Sequence, residues 1–169
     1  MVIGGTDTTS KTVEFSMAEI MNIPGILRKL QEELETVVGK DNIVEESHIQ
    51  QLPYFYAVMK EVLRLHPKLP LMILQSGKNR VPSRDIKWDY RGNDFNYFPF
   101  GSGRRICVGT AMAERMFMYS LVSFIHSFDC KLPEGEALDL TGKFGIVLMK
   151  KRPLVAVPIP RLSNPTLYE

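Results

Sequence analysis

Cys107 has the clearest chemical setting in this 169-residue chain. It lies in the run Phe98-Pro99-Phe100-Gly101-Ser102-Gly103-Arg104-Arg105-Ile106-Cys107-Val108-Gly109. Gly101, Gly103 and Gly109 permit tight turns and let backbone approach a flat ligand closely. The cysteine precedes a predicted helix start, where the macrodipole and free amide donors favour a thiolate, and a thiolate is a metal ligand. Arg104 and Arg105 add positive charge that can pair with carboxylates of a ligand. The plain alternative is a structural cysteine packed in a glycine-rich turn, since free cysteines are among the most buried residues.

Two other groupings could carry chemistry. Glu61 and Arg64 are three apart and share a helix face. At about 100° per residue, Tyr54, Phe55, Val58, Met59, Val62 and Leu63 cover half of that helix, and the charged pair falls just outside the half. Taken alone it is an exposed ion pair contributing about 0.3–0.5 kcal/mol. The run Gly4-Gly5-Thr6-Asp7-Thr8-Thr9 has two readings. Asp7 can cap the helix that follows. Alternatively the run is a distorted helix interior, weakened by two glycines, in which a threonine hydroxyl bonds back to a carbonyl one turn earlier. That would open a groove with an acid and an alcohol side by side, a proton relay.

The cysteine run carries the pattern Phe-x-x-Gly-x-Arg-x-Cys-x-Gly, with Phe100, Gly103, Arg105, Cys107 and Gly109 in register. It resembles the haem-binding loop of the cytochrome P450 superfamily, the haem-thiolate monooxygenases. The resemblance implies that Cys107 is the axial ligand of haem iron and that Arg105 contacts a haem propionate. A thiolate in that position pushes electron density to favour O–O cleavage. Glu61 and Arg64 resemble the family's Glu-x-x-Arg, which implies a buried structural pair locked through a further arginine. Pro82-Ser83-Arg84 resembles the Pro-x-Arg of the family's meander and makes Arg84 the third member, although Asp85 stands where an aromatic should follow. The Gly4–Thr9 run resembles the family's oxygen-activation motif, which implies proton delivery by Asp7 and Thr8. The block Trp88 to Met116 resembles plant microsomal members, which often act on terpenoid or phenolic substrates. The resemblance therefore implies an oxidoreductase that inserts one oxygen atom of dioxygen into a small lipophilic organic substrate. Its cofactor would be haem b (iron protoporphyrin IX), and its electrons would come from NADPH through an NADPH-cytochrome reductase.

The elements that must position these residues are mainly helical. A helix is predicted from about Thr8 to Met21. A second begins at Pro24, with Leu27, Leu30, Leu34 and Val37 at helical spacing and Gly39 as its C-terminal cap. A third starts near Pro53 and ends at His66, before Pro67. A long helix runs over about Ala111–Phe128, apolar on half its circumference with further apolar residues opposite. Phe144–Met149 and Leu154–Ile159 are expected to pair as a hairpin around Lys151-Arg152-Pro153. The expected fold class is mainly α with a small C-terminal β-hairpin, the C-terminal part of the cytochrome P450 fold. Residues 67–99 lack periodicity and read as a long coil. Within them, residues 72–86 run from Gln75 almost directly to Pro82, which marks a deleted or aberrant junction. Residues 1–169 are thus expected to form a partial domain, without the family's N-terminal anchor. The full-length family sits at the cytosolic face of the endoplasmic reticulum membrane, and the chain without that anchor fits the cytosol.

Composition fits this picture without specifying it. Hydrophobic residues are 44% and charged residues 24% of the chain, as in ordinary globular proteins. The longest apolar run is Tyr54–Met59, far short of the ~20 residues of a spanning helix. A net charge of +2, with no clustered basic face, argues against a nucleic-acid partner. Two cysteines make no disulfide framework. His48, His66 and His126 read as surface or helix-end residues, and Cys130 as packing. Met112, Met116 and Met118 read as core, and Lys150-Lys151-Arg152 as a solvated turn. A truncated, non-catalytic relative that binds haem weakly or not at all is the second reading, and a small haem-binding protein the third.

Overall fold

A computed structural model describes residues 2–67, 97–145 and 147–168. Arg84, Trp88 and the 72–86 junction lie outside the described residues.

Helix α1 spans Val2–Asn22 and starts earlier than its apolar pattern suggests. Asp7 is therefore an interior residue of the helix and not its N-cap. Back-bonding also occurs further along the helix. Thr12 Oγ1 donates to the Thr8 carbonyl and Ser16 Oγ to the Thr12 carbonyl, both at 2.7 Å. These bonds satisfy two hydroxyls that the helix carries into the core.

Helix α2 (Pro24–Val37) begins on its proline, and its Leu30 and Leu34 are wholly buried. Gly39 takes φ +82° and its amide reaches the Leu34 carbonyl at 3.3 Å, closing the helix as predicted. A single turn, α3 (Glu46–Ile49), follows. Its capping box places His48 Nδ1 3.0 Å from the Glu45 amide, a helix-end role.

Helix α4 (Pro53–Leu65) starts at its proline and stops at His66. Its first turn is capped from α2. The two Glu33 carboxylate oxygens accept the Tyr54 and Phe55 amides at 2.8 and 3.0 Å. Helix α5 (Thr110–Ser127) buries Phe117, Met118, Leu121, Val122, Ile125 and His126, and packs on α1, α2 and α4.

The strands pair differently from the expectation. The chain leaves α5 directly into an extended conformation at Phe128, so β1 (Phe128–Lys131) takes β4 (Val157–Pro160) as its antiparallel partner. The hairpin instead joins β2 (Gly142–Lys143) to β3 (Met149–Lys150). Pro158 and Pro160 lack amide hydrogens, which suits β4 to an edge. Beyond β4, Tyr168 Oη accepts the Arg161 and Leu162 amides, each at 2.8 Å, and donates to the Ser127 carbonyl at 2.7 Å. One hydroxyl thus clasps the C-terminal segment to the end of α5.

Three side chains correct the sequence expectations. Met118 is core, but Met112 and Met116 are 70% and 50% exposed, because their four-residue spacing puts them on the opposite face. His126 takes the helix-end role, in the last turn of α5, and is buried there. Lys150 is buried too, with Nζ 5.6 Å from the centre of the Phe15 ring and bonded to the Asp139 carbonyl; Lys151 and Arg152 are exposed. Among the described residues no helix is long and apolar enough to cross a membrane.

Candidate haem-thiolate site

The site is built on the loop between Tyr97 and α5. Phe98-Pro99-Phe100 makes a turn in which the Gly101 amide reaches the Phe98 carbonyl at 3.2 Å. Gly101 and Gly103 take φ of +78° and +62°, conformations that other residues rarely adopt. A one-turn 3-10 helix over Gly103–Arg105 follows. The Cys107 amide then donates to the Phe100 carbonyl at 2.9 Å, closing the loop on itself. Thr110 Oγ1 donates to the Cys107 carbonyl at 2.7 Å, and the Ala113 amide to the Gly109 carbonyl at 2.8 Å, as α5 begins.

This geometry presents the sulfur outward. Cys107 is exposed, which excludes the packed structural cysteine. A Cβ at Gly109 would lie 3.8 Å from Cys107 Sγ, so the glycine keeps the space beside the sulfur clear. Val108, the next residue, is 96% exposed, and Met112 in the first turn of α5 is exposed as well. Arg104 and Arg105 are exposed on the same loop. Phe100 is partly buried against the core and anchors the loop's base. The predicted loop residues Phe100, Gly103, Arg105, Cys107 and Gly109 are therefore brought together in one bend.

Among the described residues no group of three His, Cys, Asp or Glu side chains could hold a metal. The donor set around Cys107 is a single thiol. A single thiolate suits a metal that arrives with its other positions already filled, as in a macrocycle. The residues present fit such a group: an exposed cysteine, a glycine beside its sulfur, and exposed apolar and cationic side chains on the same loop.

Glu61 and Arg64 form a two-bond pair. Arg64 Nε donates to Glu61 Oε2 at 2.8 Å and Nη2 to Oε1 at 2.6 Å. Their side chains are only 19% and 14% exposed, so this is a shielded pair and not a solvated one. The Glu61 carboxylate raises the Arg64 guanidinium above its ordinary value despite the opposing effect of burial. Asp7 is exposed and Thr8 half-buried on the first turns of α1. Their carbonyls accept bonds from within α1, and α1 relates to the loop by packing along α5. Cys130 is partly buried against the core, and burial pushes its thiol up.

Sequence reasoning missed Tyr97, which is wholly buried and donates from Oη to the Lys60 carbonyl at 3.0 Å. It also missed Arg161. That guanidinium bonds Glu35 and lies 3.8 Å from Asp129, tying the C-terminal segment to α2. Both contacts span long stretches of chain, where periodicity carries no signal.

A family model described as Cytochrome P450 matches residues 1–88 and 87–157. The chain is 37% identical over 206 aligned residues to a flavonoid 3',5'-hydroxylase of Crocosmia x crocosmiiflora, covering 96% of this chain and 39% of that protein. It is 38% identical over 197 residues to geraniol 8-hydroxylase of Catharanthus roseus, covering 94% and 40%. A zebra fish cytochrome P450 structure with abiraterone superposes with a TM-score of 0.74 at 26% identity, covering 94% of this chain and 45% of that one. The chain spans about two fifths of the length of the curated relatives it matches.

Proposed function

The chain belongs to the cytochrome P450 family, and from that premise we propose that it is the haem-binding part of a plant-type monooxygenase that inserts one oxygen atom of dioxygen into a small lipophilic substrate. The observation that carries this reading is the exposed Cys107 sulfur at the end of a glycine-bent loop. Cys107 Sγ would hold the iron, and Phe100, Gly103 and Gly109 would shape the bed for haem b. The Arg105 guanidinium would pair with a propionate. When bound, that group supplies the one-electron and oxygen chemistry that protein side chains lack.

The remaining steps belong to the chain. Glu61 and Arg64 hold the end of α4 in one conformation, as their two short bonds support. Arg84 would complete that lock. Asp7 would carry a proton on its carboxyl and pass it through the Thr8 hydroxyl, with the Thr12 back-bond at the Thr8 carbonyl loosening the helix there. Electrons would come from NADPH through a flavoprotein reductase, at the cytosolic face of the endoplasmic reticulum. The chain's likeness to a flavonoid 3',5'-hydroxylase and to geraniol 8-hydroxylase favours a phenolic or terpenoid substrate. Phe144, exposed just after β2, would line a pocket for such a substrate. Residues 72–86 would form a deleted or aberrant junction. An alignment of 206 residues on a 169-residue chain supports missing material, and the two pieces of the family match meet nearby, at residues 87–88.

Turnover in labelled dioxygen tests the reading. Haem-loaded chain, with reductase and NADPH, should transfer one labelled oxygen atom to a phenolic or monoterpenoid substrate. Absence of label in product, with haem bound, would contradict it.

A further inference from the structure

We infer that Tyr97 is a positioning residue that pins the cysteine loop to the Glu61–Arg64 helix through its hydroxyl. The inference rests on the reading of Cys107 as an iron ligand only for its purpose, because the pin itself is a property of the polypeptide.

Tyr97 immediately precedes the loop, and its side chain is wholly buried in the main core. A phenylalanine would fill the same apolar space. A hydroxyl taken into that space needs a partner, and Oη finds it in the Lys60 carbonyl at 3.0 Å. Helical geometry already pairs that carbonyl with the amide of Arg64, so the tyrosine takes its second lone pair. The bond therefore lands on the backbone turn that carries Glu61 and Arg64. Only Phe98 and Pro99 separate this anchor from Phe100, whose carbonyl holds the Cys107 amide. Two groupings 37 residues apart are joined by one hydroxyl, and the sulfur's position follows the helix through it.

Amide hydrogen exchange on the full chain tests this without haem. In Tyr97→Phe, exchange at Gly101, Ile106 and Cys107 should speed up about five- to tenfold, the loss of one net hydrogen bond, while Leu121 and Val122 in α5 keep their protection. Substituting 4-aminophenylalanine at residue 97, which keeps a donor, should restore the loop's protection. Unchanged exchange in the loop would overturn the inference. So would uniform acceleration, or loss of folding, without rescue by the amino variant, since Tyr97 would then be an ordinary core residue. A wild-type chain that shows the pin but takes up no haem would defeat the functional reading and leave the pin standing.

Discussion

Glu19 on α1 and His66 at the end of α4 meet at 2.7 Å, carboxylate Oε1 to imidazole Nε2, across 47 residues of chain. The same ring stacks on Phe15 at 4.3 Å between centroids. The imidazole therefore fixes how the helix bearing Glu61 and Arg64 lies against the helix bearing Asp7 and Thr8. Both side chains are largely shielded from water. Glu19→Ala should lower stability by about 1–3 kcal/mol, read as a lower urea midpoint at constant slope. An unchanged midpoint would show that the contact is idle.

Glu33 acts on α4 in the manner of a cap supplied from another helix. Removing it leaves the Tyr54 and Phe55 amides without their acceptor. Glu33→Ala should cost about 0.5–2 kcal/mol, the range of lost N-caps. Glu33→Gln, which keeps one acceptor oxygen, should recover part of it in the same denaturant titration.

His126 sets an acid limit on the fold. Its Nε2 donates to the Asn42 carbonyl at 2.9 Å, and Nδ1 is buried without a partner. Burial holds the imidazole below its ordinary value of 6.5. The unfolded chain takes up a proton as pH falls through about 6.5 and the folded chain resists it. The contribution is thus full above that pH and lost below it, at up to about 1.4 kcal/mol per pH unit. Unfolding midpoints at pH 7.5 and 5.5 should show the fall (roughly the span over which an ordinary histidine charges), and His126→Gln should flatten it.

Two glycines of the loop should separate strain from space. At Gly103, φ is +62° and a Cβ would meet nothing within 4 Å, so Gly103→Ala carries only the backbone penalty of about 1 kcal/mol. At Gly109, φ is −89° and a methyl would stand beside the Cys107 sulfur. Gly109→Ala should change stability by less than about 0.5 kcal/mol yet weaken haem uptake. Haem titration beside thermal unfolding distinguishes the two.

The helices were legible because their signals are local. Pro24 and Pro53 mark two starts, Gly39 a stop, and the leucines of α2 recur at helical spacing. The cysteine loop was legible because its glycines and arginines stand at fixed offsets in one segment. The strands were not, because β4 is exposed along its length and carries two prolines, so it shows neither alternation nor an apolar run. Its partner begins at Phe128, which reads as the last residue of a helix. The half-buried state of Glu61 and Arg64 was also hidden from a helical wheel, which puts them just outside its apolar half. Tyr97, Glu19 and Arg161 act through long-range contacts.

The most direct measurement is the visible spectrum of the reduced, haem-loaded chain under carbon monoxide. Ligation by Cys107 predicts a red-shifted, thiolate-type Soret band that disappears in Cys107→Ser. A histidine-type band in the wild-type chain, or no haem uptake at all, would contradict the account.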